Sequence, residues 1–216
     1  AATEHTCAMM MSMARHIPIA NETLQKGEWN RKKYTGVELK GKTLGVIGMG
    51  RIGSGVAKRA LAFDMKVIGY DPYINEERCK DMGVTVGTFD EVVEKSDFIT
   101  VHMPLTDTTR DMINKDVMAR MKKGVRLVNC ARGGIINEKA LAKALNEDRL
   151  GGAGIDCFEQ DPPSVDNELM NAKNVIVSPH SAAQSKEAVV NMATMCVNGC
   201  LAICRGEKWP YVADKK

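Results

Sequence analysis

The segment Thr43-Leu-Gly-Val-Ile-Gly48-Met-Gly50-Arg-Ile-Gly53 constrains this chain more than any other. An apolar run suited to a buried strand leads into G-x-G-x-x-G, and a helical pattern carried by Ile52, Val56 and Ala60 follows it. Gly48 permits a tight turn, Gly50 lets the backbone approach a pyrophosphate, and Gly53 lets helix and strand pack closely. The first turn of a helix carries amides without intrahelical acceptors and the positive end of the helix dipole, both of which favour an anion. A dinucleotide is therefore the expected ligand. Asp71 stands twenty-three positions after Gly48, at the end of the next β-branched run, 66–70, placed to accept from ribose hydroxyls and to repel a 2′-phosphate. Pro72 rather than a basic residue follows it, so NAD is expected over NADP.

Beyond this loop, strand-like runs at 66–70, 98–101, 125–128, 153–155 and 175–177 alternate with helix-like stretches at 51–64, 107–121, 138–147 and 185–204. Alternation of this kind predicts an α/β fold, a doubly wound parallel sheet of Rossmann type with ligands at its carboxyl edge. Ahead of it, Cys7, Met10, Met11, Ala14 and Ile17 keep the rhythm of a buried helical stripe. Residues 3–26 are thus predicted as one helix, kinked at Pro18 and stopped at Gly27, with 28–42 a polar, basic surface stretch. The expected organisation is an NAD-binding domain over 1–205, comprising a leading interdomain or dimerisation helix at 1–27 and a core at 43–205. Residues 206–216 would lead back toward a substrate domain that the chain lacks.

Composition removes several alternatives. Thirty basic against twenty-seven acidic residues leave +3, too even to demand nucleic acid. Seven cysteines, an odd number without paired C-x-x-C spacing, fit a reducing cytoplasmic setting and give no metal site. Cys196, Cys200 and Cys204 recur every four residues and are expected to pack in the core. The Met-rich run from Cys7 to Met13 is far shorter than the ~18 residues of a membrane span, and the opening residues show no basic n-region before an apolar core, so no membrane partner is expected. The chain opens without Met directly on a helical pattern and reads as a fragment.

Three strand ends offer chemistry. Transfer of a hydride from a hydroxyl carbon needs a group that exchanges the hydroxyl proton and a cation that holds the substrate. Arg132 follows the strand at 125–128, where its planar fork can grip a carboxylate. His180 follows the strand at 175–177 and brings an imidazole to the same edge. Taken alone, an arginine at a strand end is more often a surface salt-bridge partner, and a lone histidine there more often structural than catalytic. The run Gly154-Ile-Asp156-Cys-Phe-Glu159-Gln-Asp161-Pro-Pro shifts the balance, because its carboxylates could hold the histidine. His5 and His16, read as lying on the N-terminal helix away from the sheet edge, and His102, without an adjacent carboxylate, are assigned no chemistry.

The runs V-I-G-M-G-R-I-G, H-M-P-L-T-D-T-T, N-C-A-R-G-G-I-I-N, G-I-D-C-F-E-Q-D-P-P and S-P-H-S-A-A, in this order, resemble the D-2-hydroxyacid dehydrogenase family. The opening A-A-T-E-H-T-C-A and the stretch from Gly27 to Gly45 further resemble its animal-type phosphoglycerate-oxidising branch. The resemblance implies that Arg132 orients substrate, that His180 is the acid/base, and that the acidic residue before Pro162, here Asp161, pairs with it. The family usually has glutamate there, so the shorter Asp161 is expected to reach through water or a loop shift, with Glu159 as the fallback. Asp156 resembles the residue that contacts the nicotinamide carboxamide, and Arg51, Ile52, Pro104, Thr106, Cys130, Ala131 and Ser181 resemble cofactor-lining positions. The implied partners are a phosphorylated 2-hydroxy acid and a second copy of the chain, joined through the cofactor domain. Arg31, Lys32 and Lys33 read first as a solvated loop, and in such a dimer they would instead approach the neighbour's site. Two alternatives share the scaffold: a glyoxylate or hydroxypyruvate reductase, and an NAD-sensing protein resembling the C-terminal-binding-protein corepressors.

Overall fold

A computed structural model describes residues 1–210, so the last part of the expected segment 206–216 lies outside the described residues. The chain divides into two compact units, Ala2–Ala182 and a unit comprising Ala1 and the residues from Ala183 onward.

The first unit is built on a parallel sheet of seven strands: β1 (Thr43–Ile47), β2 (Lys66–Tyr70), β3 (Thr85–Val86), β4 (Phe98–Val101), β5 (Arg126–Asn129), β6 (Gly152–Ile155) and β7 (Val175–Val177). Their order is β3-β2-β1-β4-β5-β6-β7, so the chain reverses direction across the sheet between β1 and β4. Alternate residues point to opposite faces of a strand. Ile99 and Leu127 enter one core with Val92, Val117 and Leu141, whereas Leu44, Val46, Phe98 and Val128 enter the other with Met10, Val56 and Ala60. The first core is roofed by α5 (Phe89–Lys95), α6 (Lys115–Arg120) and α7 (Glu138–Asn146), the second by α1 (Ala2–Ala14) and α3 (Arg51–Ala62). Burial on both faces is why these strands read as continuous apolar runs.

The leading helix is two helices. α1 ends at Ala14 and α2 (Ile17–Gln25) begins beyond His16, which is left-handed at φ 54°. The cause lies outside the helix: the Val37 amide donates to the Ala14 carbonyl at 2.9 Å, ending α1 from the returning 28–42 stretch. Pro18 then falls in the first turn of α2, where its missing amide costs nothing, so it starts a helix rather than kinking one. The helix expected over 107–121 contracts to α6, since Thr109 Oγ1 accepts from the Thr106 amide at 2.8 Å and donates to the Pro104 carbonyl at 2.7 Å, holding the preceding residues in turns. Beyond the predicted elements, the chain also forms β3, α4 (Glu76–Asp81, capped by Asn75) and α5, whose Thr88 and Glu91 form a capping box.

In the second unit, α8 (Lys186–Cys204) starts at a Ser185 cap, and the Trp209 indole lies against Gly199. Cys196, Cys200 and Cys204 are exposed, which corrects the core-packing expectation. Exposed Val190, Met192, Val197, Leu201 and Ile203 surround the helix, so it lacks the single buried stripe that a four-residue repeat suggests. By length and composition alone this helix is long and apolar enough to cross a membrane.

Candidate active site at the carboxyl edge of the sheet

Strand register places the candidate residues in one row. Tyr70, Ile47, Val101, Asn129, Ile155 and Val177 are successive partners across the sheet, and each is the last residue of its strand. The residues that follow, Asp71, Gly48, His102, Cys130, Asp156 and Ser178, therefore emerge along one line. Strands stand about 4.8 Å apart, so the row runs roughly 24 Å, a length suited to an extended ligand.

At the β1 end, Gly48 adopts φ +97°, its amide donates to the Tyr70 carbonyl at 2.7 Å, and an added β-carbon would stand 2.6 Å from the His102 carbonyl oxygen. An added β-carbon at Gly53 would stand 1.9 Å from the Gly48 oxygen. Gly50, the residue that opens α3, differs: nothing lies within 4 Å of where its β-carbon would be. The fold needs the first and third glycines for its own backbone. The middle one leaves clear space before the amide-bearing end of α3, which fits a diphosphate. Arg51 and Ile52 form the first turn of that helix, with Ile52 partly exposed. Asp71 accepts from the Met49 amide and the Tyr73 amide, both at 2.9 Å, which ties the β2 end to the glycine loop. Each carboxylate oxygen keeps a further lone pair for a ribose hydroxyl.

Beyond β4, His102 Nε2 bonds to Thr100 Oγ1 at 2.9 Å, and burial pushes the imidazole pKa down to about 4, so the ring adds no charge near the loop. Pro104 and Thr106 lie in the turn organised by Thr109.

At the β5 end, Asn129 is buried and locks the arginine loop, its Oδ1 accepting from Ala131 N at 3.0 Å and its Nδ2 donating to the Arg132 carbonyl at 2.8 Å. Arg132 is exposed and its Nη1 rests on the Ala131 carbonyl at 2.6 Å. Asn129 had no role in the sequence reading, although its place in N-x-x-R was the available signal. An added β-carbon at Gly133 would meet the Phe158 carbonyl oxygen at 1.7 Å. Gly133→Ala is therefore expected to cost about 3 kcal/mol or more of stability, read as a lowered urea midpoint with unchanged m. The Cys130 thiol points back to Met9 Sδ at 3.6 Å, and burial drives both it and Cys157 up to about 12. Both stay protonated, which removes thiolate chemistry from this edge.

His180 sits at φ 49° with Nδ1 2.6 Å from Asp161 Oδ2, both side chains partly exposed. Asp161 Oδ1 accepts from the Phe158 amide at 3.1 Å, and this turn carries the shorter carboxylate directly to the ring without an intervening water. The Glu159 backbone amide donates to Glu138 Oε1 at 2.5 Å, and the carboxylate bonded to the His180 ring is that of Asp161. Asp156 is fully buried and pegs the histidine turn, accepting from the Ser178 hydroxyl, from Ser181 N at 2.9 Å and from Ala182 N at 2.8 Å. His5 corrects the sequence reading: α1 packs along β5, β6 and β7, and this brings its Nε2 3.0 Å from Ser178 Oγ at the sheet edge.

Comparison with known proteins points the same way. The family described as "D-isomer specific 2-hydroxyacid dehydrogenase, NAD binding domain" matches residues 7–182. A D-3-phosphoglycerate dehydrogenase of Bacillus subtilis is 52% identical over 203 residues, covering 94% of this chain and 38% of its own length. That of Homo sapiens is 49% identical over 187 residues, covering 87% of this chain and 35% of its own. The chain thus spans less than two fifths of these relatives. Among solved structures, D-lactate dehydrogenase from Aquifex aeolicus complexed with NAD and lactic acid superimposes with a TM-score of 0.89 at 32% identity, over 95% of this chain and 66% of that one.

Proposed function

Because the chain belongs to the D-isomer specific 2-hydroxyacid dehydrogenases and spans their NAD binding domain, we propose that it holds NAD for oxidation of D-3-phosphoglycerate to 3-phosphohydroxypyruvate. One observation carries this reading: His180, 2.6 Å from Asp161, emerges on the same edge as a glycine loop left open at Gly50. The names of the relatives supply the substrate.

The α3 N-terminus and Gly50 face the diphosphate, Asp71 takes the adenosine ribose, and the residues after β5 and β7 line the far half. When bound, NAD supplies the hydride acceptor. His180 accepts the hydroxyl proton at Nε2 while Asp161 holds Nδ1–H and stabilises the imidazolium. Arg132 grips the substrate carboxylate and polarises the reacting oxygen. A homodimer through this domain is supported by exposed Ile17, Ile19, Leu24 and Trp29, and the exposed turn Arg31–Tyr34 offers three cations to a phosphorylated substrate in the neighbour. Seven free thiols suit a cytoplasmic location.

Titration of this chain with NADH and NADPH tests the reading. Saturable NADH binding with weak NADPH binding is expected, and no dinucleotide uptake ends it. Asp71→Asn keeps one side-chain acceptor for the Met49 and Tyr73 amides, loses the other, and loses the charge. It is expected to narrow the preference for NADH over NADPH about tenfold or more, which is about 1.4 kcal/mol. An unchanged ratio would remove Asp71 from the ribose.

A further inference from the structure

His5 Nε2 lies 3.0 Å from Ser178 Oγ and 3.4 Å from Asp156 Oδ1. The Ser178 hydroxyl itself donates to Asp156 Oδ1, so its lone pairs face the ring and Nε2 is the protonated nitrogen in this network. Asp156 also binds the amides of Ser181 and Ala182, so its carboxylate grips the chain on both sides of His180. A left-handed backbone at a residue such as His180 persists only where its surroundings over-determine it. Asp156 does so from below, and His5 closes the Ser178 side from a helix more than 170 positions away in sequence.

We propose that His5 is a positioning residue. The relay from His5 Nε2–H to the Ser178 hydroxyl to Asp156 holds the turn that aims His180 and presents Ser181 to the cofactor. This rests on the reading that the edge binds NAD and that His180 exchanges the proton. Hydrogen bonds in series polarise one another, so the two links of the relay should act as one unit.

The test compares the wild-type chain with His5→Leu, His5→Gln, Ser178→Ala and the double variant His5→Leu/Ser178→Ala. Three readouts are needed: NADH affinity by fluorescence, thermal midpoint, and the His180 imidazole resonances, assigned by their loss in His180→Gln. His5→Leu and Ser178→Ala are each expected to weaken NADH binding about fivefold, the scale of one hydrogen bond, and to move the His180 resonances. The double variant should be no weaker than either single one. His5→Gln, which keeps a donor, should stay within about twofold of wild type. Unmoved His180 resonances in His5→Leu overturn the proposal. So do additive losses, a His5→Gln as impaired as His5→Leu, or losses that merely track the thermal midpoint. If His5→Leu does not fold, Ser178→Ala and His5→Gln read the same relay. A wild-type chain that takes up no NADH refutes the functional reading instead, while the His180 resonances continue to test the relay.

Discussion

His180→Ala, on the proposed oxidation of D-3-phosphoglycerate and in a protein that joins this domain to a substrate domain, is expected to lower kcat by about 10²–10⁴-fold, with KM and thermal midpoint close to wild type. That loss corresponds to roughly 3–5.5 kcal/mol of transition-state stabilisation. The fold should not suffer, because the His180 side chain is about half exposed, at 49%, and its removal leaves no cavity in either core. Asp161→Asn should lose a comparable amount. The amide keeps the shape of the carboxylate but can no longer fix the Nδ1–H tautomer or stabilise the imidazolium. Glu159→Gln should turn over nearly as wild type, because Asp161 supplies the carboxylate bonded to the ring. Steady-state kinetics on the three variants separate the roles. Near wild-type turnover by Asp161→Asn would pass the task to Glu159, and near wild-type turnover by His180→Ala would leave the edge without an acid/base.

Much of this edge was legible because each element carries its own punctuation. The glycine loop, Arg132 and His180 each follow a short β-branched run, and the parallel register turns those separate sequence positions into one row. What escaped depends on contacts that no local pattern encodes. The break at His16 follows from Val37 taking the Ala14 carbonyl, a tertiary bond that overrides a continuous helical stripe. His5 read as a bystander because its helix precedes the sheet in sequence, yet α1 lies along β5 to β7 and delivers the ring to Asp156. Asp156, matched by resemblance to a nicotinamide contact, also pegs the histidine turn from a fully buried position, a role no local pattern shows. Direct contact between Asp161 and His180 depended on the bond from Phe158 N, a loop geometry that side-chain length alone does not reveal.

Gly50→Val should separate ligand binding from stability more sharply than any other change in the loop. At φ −67° and ψ −162° the backbone is ordinary for an L-residue, and no atom stands within 4 Å of the added β-carbon. A β-carbon there meets no atom, and valine restricts the unfolded chain but caps α3 less well than glycine, so the urea midpoint should stay close to wild type. On the proposed reading a side chain at this position takes up space that the diphosphate needs before the amides of α3, and NADH affinity should fall by about 100-fold or more, roughly 2.7 kcal/mol. Gly53→Ala provides the contrast, because its β-carbon collides with the Gly48 oxygen at 1.9 Å and the fold must yield before any ligand arrives. Equilibrium unfolding paired with NADH titration therefore gives opposite signatures at two positions three residues apart. Wild-type NADH affinity in Gly50→Val would put the dinucleotide somewhere other than this loop, and the row of strand ends would then lose its claim to a shared ligand.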